Sequence, residues 1–274
     1  MKKITLLVFT LVFSLLVNAQ DEFGKITFNK AVNISGKQRM LGQKMSKAYL
    51  YLLENPTDSK VKTELTTSTL IFEKHNEILS KYAVSKETSK KIEEVNKVWG
   101  KLKEVFEANP TVNGAKEVVA TNSLLLRKSD DVVKSIILDA ETNSQVLSDD
   151  TLEDNIDLKN LINKAGKQRM LAQRLALYYF ANVNELKDAQ VDSNLKGAYL
   201  SFDNAIADLL ISNFNNEKTE EILGEAMRDW DEFKNKKKEF LTHKMSSEEV
   251  YKRTNNLTKT FNKLTAQFEK IKVD

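Results

Sequence analysis

The string Gly-Lys-Gln-Arg-Met-Leu occupies residues 36–41 and returns letter for letter at 166–171. Within 274 residues that hold no low-complexity tract, such an identity marks an internal duplication. The hexamer is the peak of a longer match. At a constant offset of 130, Asn33 falls on Asn163, Gln43 on Gln173, Lys44 on Arg174, Tyr49 on Tyr179 and Phe72 on Phe202. Trp99 and Trp230 correspond one residue out of step, and Thr121-Asn122 resembles Thr254-Asn255 near the end of each copy. The chain reads as two copies of one unit of about 125 residues, 20–147 and 148–274. Whatever the fold is, it is built twice.

The residues before the first copy read as a secretory leader. Lys2 and Lys3 form a basic start, and Ile4 to Val17 is an apolar run too short to span a bilayer comfortably. Val17-Asn18-Ala19 is a cleavage signature, so residues 1–19 are set aside as a signal peptide cut after Ala19. The expected product is periplasmic or secreted. No later stretch is apolar enough for a membrane span, so direct membrane insertion is not expected. No Cys stands at the cleavage point, which argues against a lipid anchor.

Only two prolines and eight glycines are present, far too few for a turn-rich β fold. The expectation is all-α. Each copy reads as four helices. In the first, helix one runs from about Phe23 to Glu54, and Asn55-Pro56-Thr57-Asp58 stops it. Helix two runs from Ser59 to Tyr82, helix three from Ser85 to about Ala108, and Asn109-Pro110 and Asn113-Gly114 break the chain again. Helix four carries Val118, Leu125, Val132 and Ala140 at seven-residue spacing, a bundle seam. Ser148 to Thr151 reads as a polar junction. The second copy repeats the plan, with a turn at 213–218 and a capping box at Ser246-Ser247-Glu248-Glu249. Four helices with short loops make an up-down-up-down bundle. Two tandem bundles follow, with parallel first helices and an approximate two-fold axis between them. The rival arrangement is a rod, with the fourth and fifth helices fused through 141–155.

On a helical wheel Leu41, Met45, Ala48 and Leu52 share one side, with Ile34 beside them, and face the unit's own core. Gly36, Arg39, Met40 and Gln43 gather on the opposite side, within an arc of about 100°. A solvent face is free to vary between copies and to fill with Lys and Glu. This one keeps a glycine, which costs a helix ~1 kcal/mol relative to Ala but permits close approach of backbones. Its expected partner is the same face of the other copy, Gly166, Arg169, Met170 and Gln173. That packing brings Arg39 toward Arg169. Two guanidiniums ~6 Å apart at an effective dielectric of ~20 repel by roughly 3 kcal/mol, and neither can shed its proton. No Asp or Glu lies within one turn of either Arg on the same face. A small oxyanion between them would relieve the repulsion, with Gln43 and Gln173 as further donors.

The segments SGKQRMLGQKMSKAYL and AGKQRMLAQRLALYYF resemble the PilJ-type domain, the N-terminal sensor of type IV pili methyl-accepting chemotaxis proteins. That domain is similar to the periplasmic sensor region of nitrate/nitrite sensor kinases. The resemblance spans nearly the whole chain after the leader, as two tandem copies. It implies a four-helix bundle in which one arginine from each half grips a single small anion, nitrate or nitrite. Here Arg39 and Arg169 would be that pair, and Gly36 and Gly166 would admit the close approach. Lys37, Gln38, Lys167 and Gln168 follow the PilJ-type version of the motif more closely than the nitrate version. The sensors of this family are flanked by transmembrane helices and carry an output module. Neither is read here, so a membrane receptor or another envelope protein would be the partner.

Other chemistries find little support. With 42 basic and 39 acidic residues the chain lacks the basic excess of a nucleic-acid binder, and no nucleic-acid partner is expected. Cysteine is absent, so disulfides and thiolate sites are excluded. His75 and His243 share no offset between the copies, and no calcium loop, phosphate loop or Ser/His/Asp set is present. No enzyme activity, metal or cofactor is expected. Trp99, Trp230, Phe72 and Phe202 read as core. The alternative to a sensor is a helical scaffold of the envelope, in which the hexamer only zips helices together.

Overall fold

The computed structural model describes residues 22–143, 149–186 and 190–272. The proposed leader, 1–19, lies outside the described residues. Nine α-helices and one two-stranded hairpin make up the described chain, so the protein is all-α. β1 (Glu22–Phe23) pairs antiparallel with β2 (Ile26–Thr27). The helices are α1 (Phe28–Glu54), α2 (Ser59–Tyr82), α3 (Lys86–Glu107), α4 (Val112–Asn143), α5 (Asp149–Val183), α6 (Val191–Leu210), α7 (Glu217–Asn235), α8 (Lys237–Leu241) and α9 (Ser247–Phe268).

Short polar side chains set the helix starts by accepting from backbone N–H groups that the first turn leaves free. Thr27 caps α1, Asp58 accepts from Lys60 and Val61 at 3.0 Å to cap α2, and Ser85 accepts from Thr88 to cap α3. Two expectations shift here. Helix one starts at Phe28 rather than Phe23, because Gly24, at φ 64, turns the chain into the hairpin. Phe23 is then fully buried against Phe28, with ring centroids 5.9 Å apart. A Cβ at Gly24 would stand 2.9 Å from the Tyr82 carbonyl oxygen, so the turn needs glycine. The expected capping box at 246–249 is only half made. Ser246 accepts from the Glu249 N–H, but the Glu249 carboxylate is held by Lys236 and Arg253 instead. The complete box lies at Asn216 and Thr219, at the start of α7.

In the first half α1 packs on α2 and α4, and α3 packs on α2 and α4, which closes a ring of four neighbours. In the second half α5, α6, α7 and α9 touch in the same cyclic order. Each ring is filled by the same aromatic pair: Phe72 on Trp99 and Phe202 on Trp230, both with centroids 4.4 Å apart. Burying each such side chain contributes on the order of 2–3 kcal/mol. The two tryptophans send their indole N–H to acids on the second helix of their own half, Glu73 at 3.5 Å and Asp203 at 2.7 Å.

Between the halves, α1 lies against α5. Bonds that cross this seam join Arg39 to Asn163, Arg174 to Gln43 and Asn184 to Leu50. The numbers rise together on both sides, so the two helices run parallel. A rod fused through 141–155 would keep α1 and α5 apart, and the lateral contact rules it out. The expected junction at 148–151 falls partly within α5, which has begun by Asp149; Ser148, and with it the boundary between 147 and 148, lies outside the described residues. Almost every side of α1 is covered, since α2, α4 and α5 all touch it. It is an interior helix, not an amphipathic one with a solvent face.

Candidate functional site

The repeated hexamer sits on the α1–α5 seam, and its glutamine and its arginine have separate tasks. Gln38 donates to the Phe72 carbonyl at 3.2 Å, and Gln168 donates to the Phe202 carbonyl at 3.4 Å. This letter ties the first helix of each half to the second. Arg39 and Arg169 reach across the seam and to the last helix of their own halves. Two residues beyond the hexamer, Gln43 exchanges two bonds with Asn122 of α4, and Gln173 donates to Asn255 and Thr258 of α9. Leu41 and Leu171 are core. A helix that must grip three neighbours at fixed heights has little freedom to change sequence, which accounts for identity in both copies.

The arginines meet as the glycine argument requires. A point one Cβ away from Gly36 lies 3.2 Å from Arg169 Nη2 and 3.5 Å from Arg39 Nη2. A Cβ at Gly166 would stand 2.9 Å from Arg169 Nη2. Both guanidiniums are buried, at 2 % and 0 % exposure. The contacts are reciprocal across the seam: Arg39 Nη2 donates to Asn163 Oδ1 at 2.6 Å, and Arg169 Nη1 donates to Asn33 Oδ1 at 2.8 Å. Asn33 and Asn163 were missed as site residues. The signal was present, since each stands six residues before its arginine at the same offset of 130.

Two expectations are corrected. No acid lies within one turn of either arginine on its own helix, but one arrives from α4. Asp130 accepts from Arg39 Nη1 at 2.5 Å and is also bound by Lys134 at 2.9 Å. Arg39 is therefore neutralised. The glutamines are not free donors either. Gln43 Oε1 accepts from both Asn122 and Arg174, and the amide nitrogens of Gln43 and Gln173 are spent on the last helices. The Tyr49 hydroxyl accepts from the Thr111 N–H, and the Tyr179 hydroxyl donates to the Met245 carbonyl.

Arg169 differs. At the place equivalent to Asp130, α9 carries Asn262, which accepts from Arg169 Nη1 at 3.1 Å but brings no charge. Among the described residues no carboxylate lies within 4.0 Å of Arg169, and its Nε and Nη2 are buried without a partner. The nearest compensation is Glu269, one step further out, which accepts from Asn33. Burial and then the charge of Arg39 push Arg169 down to about 9, against the pull of Glu269, so it remains cationic at neutral pH. A buried cation without a partner costs several kcal/mol.

No protein-family model matches the chain, and neither a curated protein nor a solved structure matches it.

The α1–α5 seam is flanked by two grooves related by the repeat. One, of about 580 Å3, is lined by Lys37, Met40, Lys44, His75 and Asn262 among others. The other, of about 300 Å3, is lined by Lys167, Met170, Arg174 and Asp130. Each is lined by three basic residues and one acid: Lys37, Lys44, Lys60 and Glu64 in the first, and Arg127, Lys167, Arg174 and Asp130 in the second. Above the first groove's far end is a cluster that the second half lacks. Lys47, fully buried, lies 3.4 Å from Glu64 of α2, donates to Asn255 of α9 and stands 3.7 Å from the Tyr251 ring centre. Burial lowers Lys47 to about 7, with Glu64 opposing. Its counterpart at the repeat offset is Leu177.

Proposed function

We propose that the protein is an exported, helical binding protein that holds one small oxyanion, of the size and charge of nitrate or nitrite, at Arg169. The observation that carries this reading is the wholly buried Arg169 guanidinium, with two unpartnered nitrogens and, among the described residues, no carboxylate within 4.0 Å. A planar monoanion would supply two acceptors in guanidinium geometry and the missing charge together. The repeated motif and its likeness to PilJ-type sensor domains favour the same ligand class. Arg39 takes a different part from the one first assigned to it. Paired with Asp130, it repels Arg169 less and acts as a wall of the site rather than a second claw. Because α1 and α5 run side by side, an anion at Gly36 would alter the seam between the halves. A membrane receptor or envelope protein that touches both halves would sense that change.

The test is thermal unfolding in nitrate, nitrite, sulfate and chloride at matched ionic strength. Saturation at 100 times the dissociation constant stabilises by about 2.7 kcal/mol, a rise of roughly 5–10 °C for a chain of this size. Arg169→Met melts higher than the parent in plain buffer and no longer responds to the anion. A parent with the same melting point in all four salts ends this reading. The Arg39–Asp130 pair favours a second one, a scaffold in which the motif only locks helices. In that case Gly36→Leu harms stability more than loss of Arg169, and no anion matters.

A further inference from the structure

The groove beside Arg169 is larger than a nitrate needs. It runs between α1 and α2, with Asn262 of α9 as part of its wall, and at about 580 Å3 it falls within the range of small-molecule sites. One end is basic. Lys37 is half-buried there and has no carboxylate within 4.0 Å among the described residues. His75 faces the same end from α2, and its Nδ1 is buried without a partner. Arg169 stands directly behind Asn262, one hydrogen bond away. The middle is apolar, from Met40, Leu41 and Ile71. The far end holds Glu64, whose charge is taken up by Lys44, Lys47 and the Tyr251 hydroxyl.

We propose that this groove binds a small organic monocarboxylate, its carboxylate between Lys37 and His75 in the field of Arg169 and its hydrocarbon body along Met40, Leu41 and Ile71. A monoanion fits better than a phosphate. Lys37 and one screened arginine face the head, where the charge of Glu269 already acts on both cations and opposes a second negative charge. The mirror groove lacks such a head: no residue of α6 is among those lining it, Ala205 stands at the repeat offset from His75, and Asp130 lies where Asn262 does. Burial, Lys37 and Arg169 together hold His75 down to about 4, so at neutral pH it meets the ligand as a neutral hydrogen-bonding partner, while Lys37 supplies the charge. The inference shares Arg169 with the oxyanion reading but needs a different residue, Lys37, and a different ligand.

The experiment is calorimetric titration of the full chain with sodium hexanoate, with hexanol as the uncharged analogue and nitrate as the bare anion. Expected is one hexanoate per chain, weakened about tenfold by Lys37→Gln and by Asn262→Asp, and unchanged by the mirror variant Lys167→Gln. His75→Gln, a second change at the head, weakens it less. No hexanoate binding up to roughly 10 mM overturns the inference, as does equal binding of hexanol or equal loss in Lys167→Gln. The two readings fail separately. Nitrate that raises the melting temperature while hexanoate does not bind sinks only the groove; Lys37-dependent hexanoate binding without a nitrate effect sinks only the oxyanion site.

Discussion

Arg39 and Arg169 occupy the same place in two copies of one unit, carry the same neighbours along their own helices, and end in different electrostatic states. Arg39 finds Asp130 on α4 and is neutral as a pair; Arg169 finds Asn262 on α9 and is not. The difference is one functional group on a helix about 90 residues away in sequence from each arginine. A second contrast lies about two turns further along, where Lys47 corresponds to Leu177. Both departures leave the helix-gripping letters, Gln38, Gln43 and their mates, doing the same work in each half. Duplication preserved the contacts that hold the helices, and divergence changed which buried cation meets a carboxylate: Arg39 has Asp130 and Lys47 has Glu64, while Arg169 has Asn262.

Making the halves alike in either direction tests the comparison. The largest effect is expected from Asp130→Asn, which gives the first half the second half's neutral partner. It strands a buried guanidinium and lowers stability by about 3 kcal/mol, read as a shift in the urea midpoint. The same pair makes a prediction in acid. Burial alone would raise the Asp130 carboxyl, but Arg39 and Lys134 outweigh it and hold it below 3.8. A carboxyl whose native value is depressed contributes stability above its unfolded value and loses it as pH falls through the native one. The parent therefore loses stability below about pH 4 by a component that Asp130→Asn lacks.

Lys47→Leu, which copies Leu177, is the next test. In the parent Lys47 holds its proton to about 7 when folded and to 10.5 when unfolded. Between those values the unfolded chain binds more protons, so stability rises with pH, by at most about 1.4 kcal/mol per unit. The variant loses that component of the rise, which unfolding curves taken from neutral to alkaline pH will show. A slope that is the same in both proteins would mean that Lys47 keeps its charge inside the fold.

Asn262→Asp carries the smallest expected effect, a gain of about 1 kcal/mol in plain buffer, as the new carboxylate neutralises Arg169 after its own desolvation is met. It should also remove any protection by small anions. A loss of stability there would show that Glu269, through Asn33, already compensates Arg169.

Periodicity and breakers made the helices legible. Asn55-Pro56, Asp58, Ser85 and Ser246 each mark an end within a residue or so, because capping is a local contest that short polar side chains decide. The hairpin before α1 was not legible. Its cause is the contact of Gly24 with Tyr82, which sits 58 positions along the chain. At the site, the meeting of Gly36, Arg39 and Arg169 followed from a repeat whose glycine had no local reason to persist. Asp130 did not follow, because a wheel drawn for one helix lists only neighbours on that helix.

The amino-acid sequence alone determined that the chain is helical, that it is built twice, and that in both copies an arginine follows a helical glycine by three residues. These are consequences of local propensity and of repetition, and they need no coordinates. Which arginine is paired and which stays charged was decided by tertiary structure. Coulomb energy depends on distance through space, and α4 and α9 bring different residues to equivalent places.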